Sequence, residues 1–474
     1  VKGGSTLQDV EPSFQPSVNK FPFALPPLLI RAVSVCGLLW VAVFNGYPIV
    51  FSDSGSYLLT GDMLVALWPF RSPGYSIFTK FASIGISGWF VVGVQAILVV
   101  YVLDQTCAYL LGNERRFRGI CMLASVCILA VLTSLPWLVS QLMPDVFAGI
   151  VFLSSFLLAF DDQLRLASRT LLAAILLISS AAHASLLPIA AVFVSALIVV
   201  RLVRRPHGAP AVRKAVLVSL FVPLIASGLS TATLNYRMHL GFKISPSGQL
   251  FVMSRLFADG LAADFLRDNC PKRPFLACRY LSDLPRTQTE FLFEDSPLLG
   301  ELTGHPQEMD EIVRGTLTSY KLRFLTSSAK ETILQLAAIR TGDEVRSFNA
   351  KEWNINALGQ VFPGDYRTFL RSKQSRGLLL PLANAAAAIH TAIFWLSLAS
   401  CFALACAKSR RRLNRFFFSA MAFLLINAAV CATFSGVFDR YQSRVAWLPP
   451  FCLTAYICSH VKARYGATSP YQEV

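Results

Sequence analysis

The 474-residue chain is 54% hydrophobic and only 15% charged, more apolar than a soluble fold of this size needs to fill its core, which excludes an ordinary water-soluble domain and indicates an integral membrane protein. Its formal net charge of +16 does not imply nucleic acid as a partner, because residues 235–375 hold about 18 basic and 16 acidic side chains and the surplus lies in short loops beside apolar segments. Membrane lipids with anionic headgroups are the partner such loops imply.

In chain order, residues 1–27 mix Pro, Ser, Gln and Asn without a hydrophobic period and read as a flexible cytoplasmic tail, with the first helix an uncleaved anchor. Apolar runs near the ~20 residues that cross a bilayer follow at 28–48, 85–111, 120–140, 144–160, 170–184, 186–203, 215–234, 377–407, 416–437 and 445–461. They predict an all-α polytopic protein with about ten transmembrane helices. Basic loops mark the cytoplasmic side: Arg115, Arg116 and Arg118; Arg201, Arg204, Arg205, Arg213 and Lys214; the stretch 408–415; and Lys462 with Arg464. They share one side only if 170–203 crosses twice, as two short helices that turn at His183-Ala184-Ser185-Leu186-Leu187-Pro188. The division is then a tail (1–27), a membrane domain (28–234) with a first exported loop (46–78), an exported periplasmic domain (235–376), C-terminal membrane helices (377–464) and a cytoplasmic tail (465–474).

The polar stretch 235–376 has the length of a domain. Leu250, Phe251, Leu256, Phe257, Leu261 and Phe265 recur at helical spacing, as do Ile312, Leu317, Leu322 and Leu325. Pro271, Pro274, Pro285, Pro297 and Pro363 punctuate the segment, so a mainly helical cap is expected. Cys270 and Cys278 stand close together there, and in an exported domain a disulfide between them is the expected state. No second Cys pair or nearby His accompanies them, which disfavours zinc.

The first exported loop carries Phe51-Ser52-Asp53-Ser54-Gly55-Ser56-Tyr57 and then Arg71-Ser72-Pro73-Gly74-Tyr75. A charge at the mouth of a membrane helix is costly unless it is paired or used. With the amino terminus inside, the same outer face also receives Asp62, Gln141, Pro144, Asp145, His183, Asp439, Arg440, Tyr441 and Arg444. Each has a structural reading beside the functional one. Asp53 suits the N-cap of a short helix from Ser54 to Leu64, and Asp145 suits the dipole of a helix begun by Pro144. His183 suits a hydrogen-bonded turn, Arg440 and Arg444 suit interface anchors or phosphate ligands, and His390 suits an interhelical hydrogen bond.

An Asp in the first exported loop, an aromatic four residues later, a short amphipathic helix and Arg-x-Pro-x-Tyr entering the next helix are present here as Asp53, Tyr57, Arg71, Pro73 and Tyr75. This resembles the first-loop pattern of type C (GT-C) glycosyltransferases, polytopic enzymes such as lipid A aminoarabinose transferases and protein O-mannosyltransferases that use polyprenyl-phosphate-linked sugars. The departure is Ser54, where several of these families carry a second acid. Asp439-Arg440-Tyr441-Gln442-Ser443-Arg444, ahead of a Pro-containing final helix, resembles the closing segment of bacterial membrane proteins of this kind.

The resemblance implies a cell-envelope transferase in a bacterial inner membrane, with a polyprenyl-phosphate sugar as donor and a glycan, lipid or protein as acceptor. Asp53 would be the catalytic base. Tyr57, Arg71, Tyr75, Asp145, His183, Arg440 and Arg444 would contact substrate, the arginines through phosphate. A divalent metal (Mg or Mn), if used, would rest on Asp53 and Asp145. The rival readings are a polymerase or ligase of lipid-linked glycans, and a transporter or flippase in which Asp53, Asp145 and His183 bind an ion or proton. Against a transporter, the acids gather at one face and no internal repeat is evident.

Overall fold

The computed structural model describes residues 26–65, 71–112, 114–203, 214–293, 296–343, 345–407 and 410–467. Among them all regular structure is helical, apart from one isolated parallel bridge between Ile49 and Gln141. Residues 1–25, Arg204, Arg205, Arg213, Lys408 and residues 468–474, which carry part of the expected tails and basic loops, lie outside the described residues.

Among the described residues five helices are long and apolar enough to cross a membrane: Gly88–Leu111, Leu186–Val203, Lys214–Arg237, Leu380–Ala407 and Arg411–Phe434. Of the other segments expected to cross, the last is the continuous 20-residue helix Leu448–Ala467 and the rest are shorter or broken helices. Pro27–Leu38 stops at Leu39 and resumes as Trp40–Asn45, which ends on Gly46 at φ 88°, where a residue without Cβ is unstrained. Arg115–Leu132 gives way to Leu135–Val139, opened by Pro136. Pro144–Phe160 and Leu166–Ala181 are short apolar helices. The stretch 170–203 is two helices, Leu166–Ala181 and Leu186–Val203, packed against each other across the turn at 182–185.

Basic side chains gather at one end of the bundle and close helix C-termini there. Lys462 Nζ donates to the Leu111 carbonyl at 2.7 Å and Arg412 Nη1 to the Tyr109 carbonyl at 3.2 Å. Arg201 reaches the Ala159 carbonyl and pairs with Asp162 at 2.8 Å. Terminal carbonyls lack intrahelical partners and favour cations, so these contacts satisfy both needs. Asp104, an acid within Gly88–Leu111, is held by Arg31 at 2.6 Å and Arg118 at 3.3 Å.

At the opposite end lies the polar segment. Its first part has its own core of Met253, Leu256, Phe257, Leu266, Phe291 and Ile312. The Cys270–Cys278 disulfide closes a loop beside it, with a Cα separation of 5.8 Å. The later part does not share that core. Phe348, Ile355, Leu358, Phe362 and Phe369 pack instead with Tyr47, Val50, Leu58, Val91 and Leu142 of the membrane domain and its loops. Asp365 fixes this junction by accepting from Tyr47 Oη at 2.7 Å, Ser87 Oγ at 2.8 Å and the Gly88 amide at 2.9 Å, at the start of helix Gly88–Leu111. Buried Arg255 joins the first part to the bundle, donating to the Ala432 carbonyl and to Ser327 Oγ of helix Lys321–Ala337, each at 3.0 Å, while pairing with Asp259.

Candidate functional site

Local pairing decides where the first loop places its acid. The Ile49 amide donates to the Ser140 carbonyl at 2.8 Å and the Leu142 amide to the Ile49 carbonyl at 3.0 Å, so the first and second loops run as one short ladder. Ser54 Oγ donates to the Leu142 carbonyl at 3.0 Å. The Gln374 amide brackets Val50, accepting from its N–H at 3.0 Å and donating to its carbonyl at 2.6 Å. Arg71 is placed by the turn that follows it. Ser72 Oγ donates to the Ala181 carbonyl at 2.7 Å, and the Gly74 backbone lies so close to that carbonyl that a Cβ would not fit.

Asp53 stands at the N-cap position of helix Ser54–Met63, yet its side chain makes no capping hydrogen bond. Its carboxylate pairs with Arg71 through Oδ1 and with Arg440 Nη1 through Oδ2 at 3.4 Å. Arg440 continues to Asp145 at 3.6 Å, and Asp145 to Arg444 at 3.8 Å. Guanidinium and carboxylate therefore alternate along a chain of five side chains drawn from the first loop, the second loop and the segment before the last helix. Three cations face two anions in this chain of pairs, and all five side chains are at most 18% exposed. At low local dielectric such an excess favours an anionic ligand.

Arg444 is completely buried and holds the far end of the chain. It donates to Asn427 Oδ1 from Nη2 at 2.8 Å and from Nε at 3.1 Å, and to Ser185 Oγ at 3.1 Å. It stands behind Arg440, whose guanidinium lies 4.7 Å from the Phe51 ring centroid and 5.5 Å from that of Tyr441. Tyr57 and Tyr75 are buried edge to face at 5.0 Å, and Tyr75 Oη donates to Gln95 Oε1 at 2.8 Å. Tyr75 thus serves packing. His183 lies in the 182–185 turn, where its Nδ1 accepts the Ser185 amide at 3.2 Å and contacts Ser185 Oγ at 2.9 Å. Burial and the guanidiniums of Arg444, Arg440 and Arg71 hold its imidazole well below the usual range, hence neutral.

Asp53 and Asp145 do not make a divalent-metal site. Each faces two guanidiniums, and no group of three or more His, Cys, Asp or Glu that could hold an ion gathers among the described residues. Mg or Mn asks for several oxygen donors with net negative charge. The donor set present suits an anion instead.

Two clefts flank Arg440 and Arg71. One is lined by Phe51, Trp137, Gln141, Asp145, Asp343 and Arg440 among others and has about 20 Å³ of free space, room for one water-sized group. The second is lined by Arg71, Phe251, Leu292 and Phe293 and is apolar except for the guanidinium. Several buried polar atoms here find no hydrogen-bond partner among the described residues: Trp137 Nε1, Asp145 Oδ1, Arg440 Nε, Arg444 Nη1 and Arg71 Nε. Unpaired buried polar atoms are rare, and each needs a reason.

Sequence reasoning missed the residues that seat Arg440. The Arg440 amide donates to Asp343 Oδ2 at 3.1 Å and the Arg340 amide to Asp439 Oδ1 at 3.0 Å, a reciprocal clasp. Gln335 adds a second clasp, accepting from the Phe438 amide at 3.0 Å and donating to the Phe438 carbonyl at 2.9 Å. Thr341 of the same loop contacts His390 Nδ1 at 2.8 Å. Asn427, which holds Arg444, carried a readable signal, as a carboxamide within an apolar span. Compared with known proteins, the chain matches no family model, no curated protein and no solved structure.

Proposed function

We propose that the chain is a GT-C-like glycosyltransferase of a bacterial inner membrane, which moves a sugar from a polyprenyl-phosphate donor to a glycan, lipid or protein acceptor on the exported face. The observation that carries this reading is the buried chain Arg71–Asp53–Arg440–Asp145–Arg444, with one cation in excess. Transfer from a lipid phosphate needs fixed positive charge for the departing phosphate and a carboxylate for the acceptor proton, held together away from water. In this reading the ten apolar helical segments all cross, the shorter ones as broken spans, and both termini lie in the cytoplasm. The disulfide supports an oxidising, periplasmic setting for residues 235–376, and the basic end of the bundle supports a cytoplasmic one for the opposite face.

The test is transfer of labelled sugar from undecaprenyl-phosphate donors by purified protein supplied with an extract of bacterial envelope lipids and glycans. Wild type transfers label, and Arg440→Gln reduces transfer at limiting donor at least ~10-fold by losing a charge-assisted contact. Absence of transfer, with ion- or proton-coupled movement of solute in proteoliposomes, would establish the transporter reading instead.

A further inference from the structure

We infer that helix Lys321–Ala337 lies in the bilayer interface at the polar-segment end of the bundle, its outward face against lipid acyl chains and its basic residues at lipid phosphates. A membrane around the bundle is the only premise, and the transferase reading is not needed. The helix has an inverted distribution of side chains. Leu322, Leu325 and Ile333 are 75%, 54% and 69% exposed, and Ala329 between them is exposed as well. Steps of three and four residues put these positions on one face. The buried residues of the helix are polar, Ser328 and Gln335. Gln335 clasps the Phe438 backbone, and Ser327 Oγ donates to Asp259 Oδ1 at 2.8 Å. A helix on a water-facing surface shows the reverse, with its apolar stripe turned to the core. An apolar face turned outward calls for an apolar medium or partner.

Two observations identify lipid as that medium. The first is continuity. Lys321–Ala337 packs extensively against Arg411–Phe434, a helix long and apolar enough to cross a membrane, on which Phe418, Leu425 and Phe434 are exposed. Lipid that covers the one helix extends onto the other beside it. The chain leaving Lys214–Arg237 at the same end behaves alike: Asn235 Nδ2 donates to the Lys243 carbonyl at 2.7 Å, while Tyr236, Phe242 and Ile244 stay exposed. The second is charge. Lys321, Arg323 and Lys330 are exposed, whereas the one acid of the helix, Glu331, is half-buried. Cations bordering an apolar stripe mark helices that lie in a membrane interface, where they meet phosphates and anionic lipids. Arg323 also pairs with Asp264 at 2.9 Å, which ties the helix to the first part of the polar segment.

The polar segment is then no cap standing clear of the membrane. Because Gln335 holds Phe438, just before Arg440 in the chain, the helix sets the site at a fixed height relative to the lipid headgroups.

The experiment places an environment-sensitive fluorophore on single cysteines of the full-length protein, in a background without the free cysteines, reconstituted in phosphatidylcholine–phosphatidylglycerol vesicles. Leu325→Cys and Ile333→Cys report on the stripe, and Ser282→Cys, exposed in the first part of the polar segment, is the control. Labels on the stripe should lose most of their emission to lipid brominated near the headgroup and little to aqueous iodide, whereas the control should respond to iodide alone. Lipid brominated at the chain ends should quench the stripe less, because an interfacial helix reaches only ~5–10 Å into the headgroup–acyl boundary. The two stripe variants are made separately at exposed positions, so misfolding of one leaves the other to decide. Iodide quenching of the stripe without lipid quenching would show a wet face and overturn the inference. Quenching by neither would show a stripe covered by a second copy or another protein, and stronger quenching from the chain ends would show a helix crossing the bilayer; each overturns it too.

Discussion

A guanidinium with no exposed surface is tolerable at Arg444 because its charge is spread over Asn427, Ser185 and Asp145. The desolvation penalty of a buried ion is several kcal/mol, and it is offset only while such partners remain. Asn427→Leu removes two of those acceptor contacts and also the amide that donates to the Tyr441 carbonyl at 2.6 Å. It should lower the stability of detergent-purified protein by about 2–4 kcal/mol, read as a drop in unfolding temperature; an unchanged unfolding temperature would mean that Arg444 is held by its surroundings as a whole. At this scale the acids and arginines of the site were legible in the sequence, since a charge beside an apolar run stands out. Their wiring was not. Asp343 and Gln335 act on backbone amides about a hundred residues away in sequence, and any residue can supply an amide, so no motif marks the contact.

At the scale of elements, proline and glycine set the joints. The separation of Leu166–Ala181 from Leu186–Val203 followed from charge balance between loops, because a single helix would put the Arg201 loop on the wrong side. The break at Leu39 was hidden, since the apolar pattern runs through it and hydropathy does not report backbone hydrogen bonding, whereas the break at Thr133 and Ser134 is marked by two polar residues ahead of Pro136. Gly74 lies against the Ala181 carbonyl in the turn that aims Arg71. Gly74→Ala should therefore cost about 1–3 kcal/mol through overpacking and weaken lipid-phosphate binding in parallel; loss of neither would mean that the turn yields freely. The disulfide belongs to this scale too. Replacing Cys270 and Cys278 by Ser should reduce stability by roughly 2–3 kcal/mol, as expected for a short closed loop, measured by protease resistance of the polar segment, and leave the bundle intact because its core is separate.

In the whole molecule a bundle with one basic end carries a polar segment at the other, and the chain of arginines and carboxylates lies toward that second end. Sidedness can be read by labelling single cysteines in intact cells, in a background without the free cysteines. Ser282→Cys should react from outside and Arg411→Cys should not, and the reverse pattern would invert the proposed topology. The central claim is that the chain of arginines and carboxylates receives a lipid phosphate. Its most direct test is equilibrium binding of a short-chain polyprenyl phosphate to the purified protein and to Arg440→Gln. Wild type should bind saturably, and the variant at least ~10-fold, or about 1.4 kcal/mol, more weakly. A wild type that binds no polyprenyl phosphate, or a variant that binds it equally well, would contradict the claim.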